Sequence, residues 1–68
     1  MVKYKIFNPN NKKYLHVDND GRCSWDNQKN ASSMTLVGKA DLKWARRQVG
    51  TMLNSQEIAS DLEFIESK

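Results

Sequence analysis

Hydrophobic and polar positions alternate from the start of the chain. In Val2-Lys3-Tyr4-Lys5-Ile6-Phe7 a two-residue period puts Val2, Tyr4 and Ile6 on one side of an extended segment and Lys3 and Lys5 on the other. Asn8-Pro9-Asn10-Asn11-Lys12 then reads as a turn, because proline presets one turn dihedral and asparagine tolerates the left-handed region while bonding to nearby backbone. A second alternation, Lys13-Tyr14-Leu15-His16-Val17, ends at Asp18-Asn19-Asp20-Gly21, whose Asp-Gly step is a strong hairpin signal. Arg22-Cys23-Ser24-Trp25 supplies a third short run. The pattern predicts a three-stranded antiparallel meander. Its buried face would hold Val2, Tyr4, Ile6, Leu15, Val17, Cys23 and Trp25, and its other face Lys3, Lys5, Tyr14, His16, Arg22 and Ser24. A lone sheet of that size is not stable in water, so another element must cover its apolar side.

The periodicity changes further on. Residues 26 to 33 carry almost no large apolar side chain and read as a loop, from which Met34 to Val37 leads out as a packing segment. From about Gly38 to Leu53 the pattern is helical, with Leu42, Ala45, Val49, Met52 and Leu53 on one stripe. Lys39, Lys43, Arg46 and Arg47 fall away from that stripe, and Trp44 sits on a flank beside Ala40 and Val37. Gly50 weakens the last turn by about 1 kcal/mol relative to alanine, which favours an early end. The tail has two readings. Asn54-Ser55-Gln56-Glu57 resembles a helix start followed by the stripe Ile58, Ala59, Leu62 and Ile65, while Ile58, Ser60, Leu62 and Phe64 alternate as a strand would. Strand is preferred for Leu62 to Ile65, since Phe-Ile suits a sheet and a fourth strand would protect an edge. The expected fold class is α+β: a three- or four-stranded antiparallel sheet packed against one amphipathic helix, in a single domain over residues 1–68.

Size limits what such a fold can do. At 68 residues the core is small; a domain of about 60 residues buries only about 60% of its unfolded surface, and one core supplies roughly 3–5 kcal/mol. Hydrophobic content of 38% is still enough for a packed interior. The net charge of +3 and pI near 9.2 favour acidic partners in general terms. Cys23 is the single cysteine, so no intrachain disulfide forms and a reducing cytoplasm is the expected compartment. No apolar run has signal-peptide length, and none reaches the about 18 residues a membrane span needs, so no membrane association is expected. Asn30-Ala31-Ser32 matches a glycosylation sequon, read here as a chance match.

Candidate chemistry is sparse. His16 and Cys23 are the obvious nucleophile and base, but strand alternation points them to opposite faces. Asp18-Asn19-Asp20-Gly21 fails as a calcium loop, because Arg22 and Lys29 occupy positions that need oxygen ligands. One cysteine and one histidine cannot hold zinc. Gly21, Gly38 and Gly50 are isolated, so no phosphate loop exists, and Asp41, Glu57, Asp61, Glu63 and Glu66 do not converge. No catalytic residue, metal or cofactor is expected. Lys3, Lys5 and Arg22 around Tyr14 and His16 have the composition of a surface that stacks bases and neutralises phosphates. Lys39, Lys43, Arg46 and Arg47 suit a nucleic-acid backbone or an acidic protein groove, although exposed cations also serve solubility alone. Trp25 and Trp44 are expected in the sheet–helix core; a Trp44 projecting near Arg47 would instead make a protein-binding anchor.

The layout Tyr4-Lys5-Ile6-Phe7, Lys13-Tyr14-Leu15, Asp20-Gly21, Ser24-Trp25, then Ala31 and Met34 ahead of Ala40, resembles small single-domain proteins encoded by bacteriophages and prophages. The resemblance implies an accessory or host-takeover factor that binds and inhibits a bacterial protein. The first thirty-odd residues are also similar to one repeat of a ricin-like β-trefoil, but one repeat cannot close a barrel and the helical segment departs from that pattern. Neither resemblance assigns functional residues. The expectation is a non-enzymatic binding protein of the host cytoplasm that docks on a bacterial protein with an acidic surface, modulating or inhibiting it. The residues expected to carry this are Lys3, Lys5, Tyr14, His16, Arg22, Lys39, Lys43, Arg46 and Arg47. The alternative is a nucleic-acid-binding module using the same sheet face and helix; a self-assembling homo-oligomer is a third reading.

Overall fold

A computed structural model describes residues 1–67, with Lys39 described by its backbone alone. The turn signals sit where the chain reverses, between β1 (Val2–Asn8), β2 (Lys13–Val17) and β3 (Cys23–Asp26). In the first turn the buried Asn8 accepts the Asn10 N–H on its side-chain oxygen, and Lys12 N–H donates to the Asn8 carbonyl at 2.8 Å. The left-handed residue there is Lys12, at φ 58°, and not an asparagine. Asn11 supports it by accepting the Lys13 N–H at 2.9 Å. In the second turn Gly21 takes φ 83°, the conformation for which the Asp-Gly step is suited, while the Asp18 carboxylate accepts the N–H groups of Asp20 and Arg22.

The register separates side chains as the alternation predicts. Leu15 pairs with Trp25 and Val17 with Cys23 on the inner face, and His16 pairs with Ser24 on the outer face. Leu15 is 2% exposed. The sheet, however, has five strands. The segment read as a packing lead-out is β4 (Ser33–Leu36), and the tail ends in β5 (Glu63–Ser67). β5 runs antiparallel to β1 from Lys3 to Phe7. Because Lys3 to Lys5 pair with both β4 and β5, and Phe7 with both β2 and β5, strands β2 and β4 share the other edge of β1. β2 meets β1 only at Phe7 and Asn8 and then diverges. Ser32 fills the split: its N–H donates to the Leu15 carbonyl at 3.0 Å, and its hydroxyl accepts the Val17 N–H at 2.8 Å.

Two helices cover the inner face where one was expected. α1 (Leu42–Met52) begins later than Gly38, after a 3₁₀ turn at Lys39–Asp41, and buries Ala45, Val49 and Gly50. Both readings of the tail are realised in succession. Ser55 caps α2 (Gln56–Asp61) by accepting the Ile58 N–H, and the chain then straightens at Leu62 into β5. Val49, Ala59 and Leu62 close over Ile6 and Leu15, with Trp25, Leu53 and Phe64 around them. Ala45 packs with Tyr4 and Leu36 in an adjoining cluster. Full burial of such aliphatic side chains stabilises by about 1.5–3 kcal/mol each.

Two residues tie the helices together. Gly50 is buried where α2 returns, and a Cβ there would run into the amide end of Gln56, whose Nε2 donates to the Arg47 carbonyl at 3.2 Å. Arg46 donates from Nη1 to the carbonyls of Ala59 (2.8 Å), Leu62 (2.6 Å) and Ser60 (3.3 Å), with its guanidinium 5.1 Å from the Phe64 ring centre. Arg46 therefore fastens the end of α2 and the start of β5 to α1, which corrects its expected place on a partner-binding surface.

Candidate functional site

The expected contact residues divide between two sides of the molecule. On the outer sheet face, parity brings together Lys3, Lys5 and Phe7 from β1, Tyr14 and His16 from β2, and Ser24 and Asp26 from β3. Phe7, which the sequence reading left out, stacks on Tyr14 with centroids 5.0 Å apart and planes at 55°. The chain leaving β3 crosses this face as a 3₁₀ turn at Gln28–Asn30. There Lys5 Nζ donates to the Gln28 carbonyl at 3.2 Å, and His16 Nδ1 donates to the Asn30 carbonyl at 2.7 Å. Lys5 and His16 thus hold a loop of their own chain.

Anions share the same face. Asp26 lies opposite Tyr14, and Glu63 lies opposite Phe7. The Asp26 carboxyl is held below its ordinary value of 3.8, first by the Asn27 N–H it accepts at 2.7 Å, then by the Asn30 side chain, with smaller contributions from His16 and Lys13. Lys3 and Arg22 remain exposed, the latter in the turn that precedes β3. The outer face is mixed in charge, with only part of its expected cations free.

The helix cations lie on the far side. α1 packs on the inner face, so Lys43 and Arg47, both exposed, project away from the side that carries Lys3 and Lys5. The sheet cations and the exposed helix cations do not form a single surface. Arg46 is held by carbonyls, and the side chain of Lys39 lies outside the described residues.

Lys43 and Arg47 instead accompany Trp44. That tryptophan is 59% exposed, which corrects its expected core position; Trp25 is half-buried against the core, as predicted. Val37, 79% exposed, lies nearby, and a groove of about 390 Å³ is lined by Thr35, Leu36, Val37, Asp41 and Trp44. The sequence reading missed β4, Val37 and Asp41 as parts of a site. The signal present was Thr35-Leu36-Val37, strand-forming residues that halt at Gly38. A second cavity, of about 300 Å³, opens at the split between β1 and β2, with Ile6, Leu15, Met34 and Met52 among its walls.

Cys23 and His16 stand on opposite faces. Among the described residues no group of three or more His, Cys, Asp or Glu side chains converges as metal ligands would. Among the described residues no helix is long and apolar enough to cross a membrane. No family model matches the chain, and neither a curated protein nor a solved structure matches it.

Proposed function

We propose that this chain is a non-enzymatic binding protein that docks on an acidic surface of another protein, with Trp44 as the anchor and Lys43 and Arg47 as flanking charges. The observation that carries this reading is the exposure of Trp44 beside Val37 on a basic helix face. A large aromatic held in water forgoes burial that so small a core could use, and tryptophan and arginine are the residue types that dominate interface energetics. The phage-like format of the sequence makes a bacterial host protein the intended target, bound so as to modulate or inhibit it in the host cytoplasm. The nucleic-acid reading has less support, because Phe7 and Tyr14 stack on each other and Lys5 and His16 bond to the chain's own loop.

The test compares the wild-type chain with Trp44→Ala and with the Lys43→Glu/Arg47→Glu pair, each immobilised and exposed to bacterial lysate at physiological salt. An acidic protein retained by the wild type and lost by both variants is the expected result. Retention of nucleic acid in its place, with oligonucleotide binding that falls steeply with salt, would overturn the proposal.

A further inference from the structure

We infer that the partner is taken up as an added strand: an extended, acidic segment of a protein pairs along the free edge of β4 and seats one apolar side chain against Trp44. This rests on the docking reading above and specifies how the contact is made.

The edges of the sheet differ in how they are protected. β4 pairs with β1 on one side, and among the described residues no other strand pairs with Ser33 to Leu36. Sheet edges are ordinarily blunted by charge, proline or a covering element. β5 carries Glu63 and Glu66, and β3 ends in Asp26 and is preceded by the turn that holds Arg22. The run Ser33-Met34-Thr35-Leu36 has no charge and no proline, and it continues into the exposed Val37.

The groove opens at the C-terminal end of that edge. Thr35 pairs with Lys3 on the outer face, whereas Leu36 pairs with Val2 on the inner face, yet both line it. A cavity walled by successive residues of one strand sits beside the strand and not above either face. The opposite wall is Asp41 and Trp44, at the start of α1. A strand laid along β4 would therefore enter the groove, with main-chain bonds providing affinity and the Trp44 recess providing selectivity.

Charge selects the occupant. Lys43 and Arg47 adjoin Trp44 on the exposed side of α1, outside the groove lining, so carboxylates of the incoming segment belong beyond Trp44 and not within the groove. Asp41 is the only acidic residue in the lining, and its side chain makes no helix-capping bond, so it meets a hydrogen-bond donor of the segment. A second copy joined β4 to β4 would place two like-charged helix ridges on one side of a continuous sheet, which opposes self-pairing.

The experiment selects peptides of about ten residues from a displayed random library on the wild-type protein and measures the best binder by fluorescence anisotropy. The expected binders are acidic, rich in β-branched residues and free of internal proline. Methylating alternate peptide amides, Thr35→Glu and Trp44→Ala should each weaken binding at least about tenfold, in variants whose circular dichroism is unchanged. Hydrogen exchange at Met34 and Leu36, whose N–H groups share the alternation of Ser32 and face away from β1, should slow in the bound state, with Thr35 unchanged. Binding that needs Trp44 but ignores amide methylation, with exchange in β4 unaltered, would overturn strand addition and leave the docking reading standing. Failure to enrich acidic peptides, or binding indifferent to Trp44, would overturn both. A peptide-free dimer in light scattering that Thr35→Glu disperses would assign the edge to a second copy instead.

Discussion

Three side chains show how much of this small molecule depends on single polar groups. The hydroxyl of Tyr4 is buried without a hydrogen-bond partner among the described residues, a costly arrangement in a low-dielectric interior. Tyr4→Phe is expected to leave stability unchanged or to raise it by up to about 1 kcal/mol, read as the midpoint of thermal unfolding. Arg46 is the opposite case, since one guanidinium nitrogen serves three carbonyls. Arg46→Met should cost about 3 kcal/mol in urea unfolding, and Arg46→Lys should not restore it, because an ammonium lacks the planar fork that also lies over Phe64. Asp26 has its folded value depressed, so its contribution to stability is complete above its ordinary 3.8 and is lost as pH falls through the lower folded value. Asp26→Asn should therefore flatten the decline of stability below that pH, and an unchanged acid profile would refute the role assigned to its bond with Asn27.

At the scale of elements, the short second helix depends on its start and on its seat against α1. Ser55→Ala removes the acceptor of the Ile58 N–H and should cost about 1 kcal/mol. Gly50→Ala alone should show little of the usual helix-propensity gain, because the new Cβ displaces Gln56 and its bond to Arg47; in a Gln56→Ala background the same change should stabilise by up to about 1 kcal/mol, which a double-mutant cycle measures. These local rules also explain what the sequence disclosed. Alternation with turn chemistry was sufficient for β1 to β3, since each strand is half-buried and bounded by strong turn residues. It was insufficient for β4, whose Ser33-Met34-Thr35-Leu36 alternates over only four residues after a polar loop and whose pairing with Val2 to Lys5 is a long-range choice. The tail looked ambiguous because a helix stripe and a strand alternation overlap between Ile58 and Phe64, and the chain uses them one after the other. Trp44 was misplaced because helical spacing locates a residue on a flank without revealing whether a neighbour covers it.

The whole molecule is a small two-layer structure, equally extended along its three axes, in which a single core position is a large fraction of the stability. Leu15, 2% exposed, packs with Ile6, Val49, Ala59 and Leu62. Truncation of such a leucine costs about 2–5 kcal/mol against the roughly 3–5 kcal/mol a core of this size supplies, so Leu15→Ala should be largely unfolded at physiological temperature by near-ultraviolet circular dichroism. The distribution of cations also belongs to this scale. Charge was legible in composition, but its division into a sheet side and a helix side depends on which face the helices cover.

The pairing of Lys3 with Ser67 sets a tempo as well as a shape. A hairpin such as β2–β3 closes within microseconds, whereas bringing together segments so remote along the chain requires a long diffusive search before any enthalpy is returned. Until β5 arrives, one flank of β1 lies open and Ile6 has lost a neighbour, so nascent molecules are adhesive at high concentration. Refolding yield should accordingly rise on dilution.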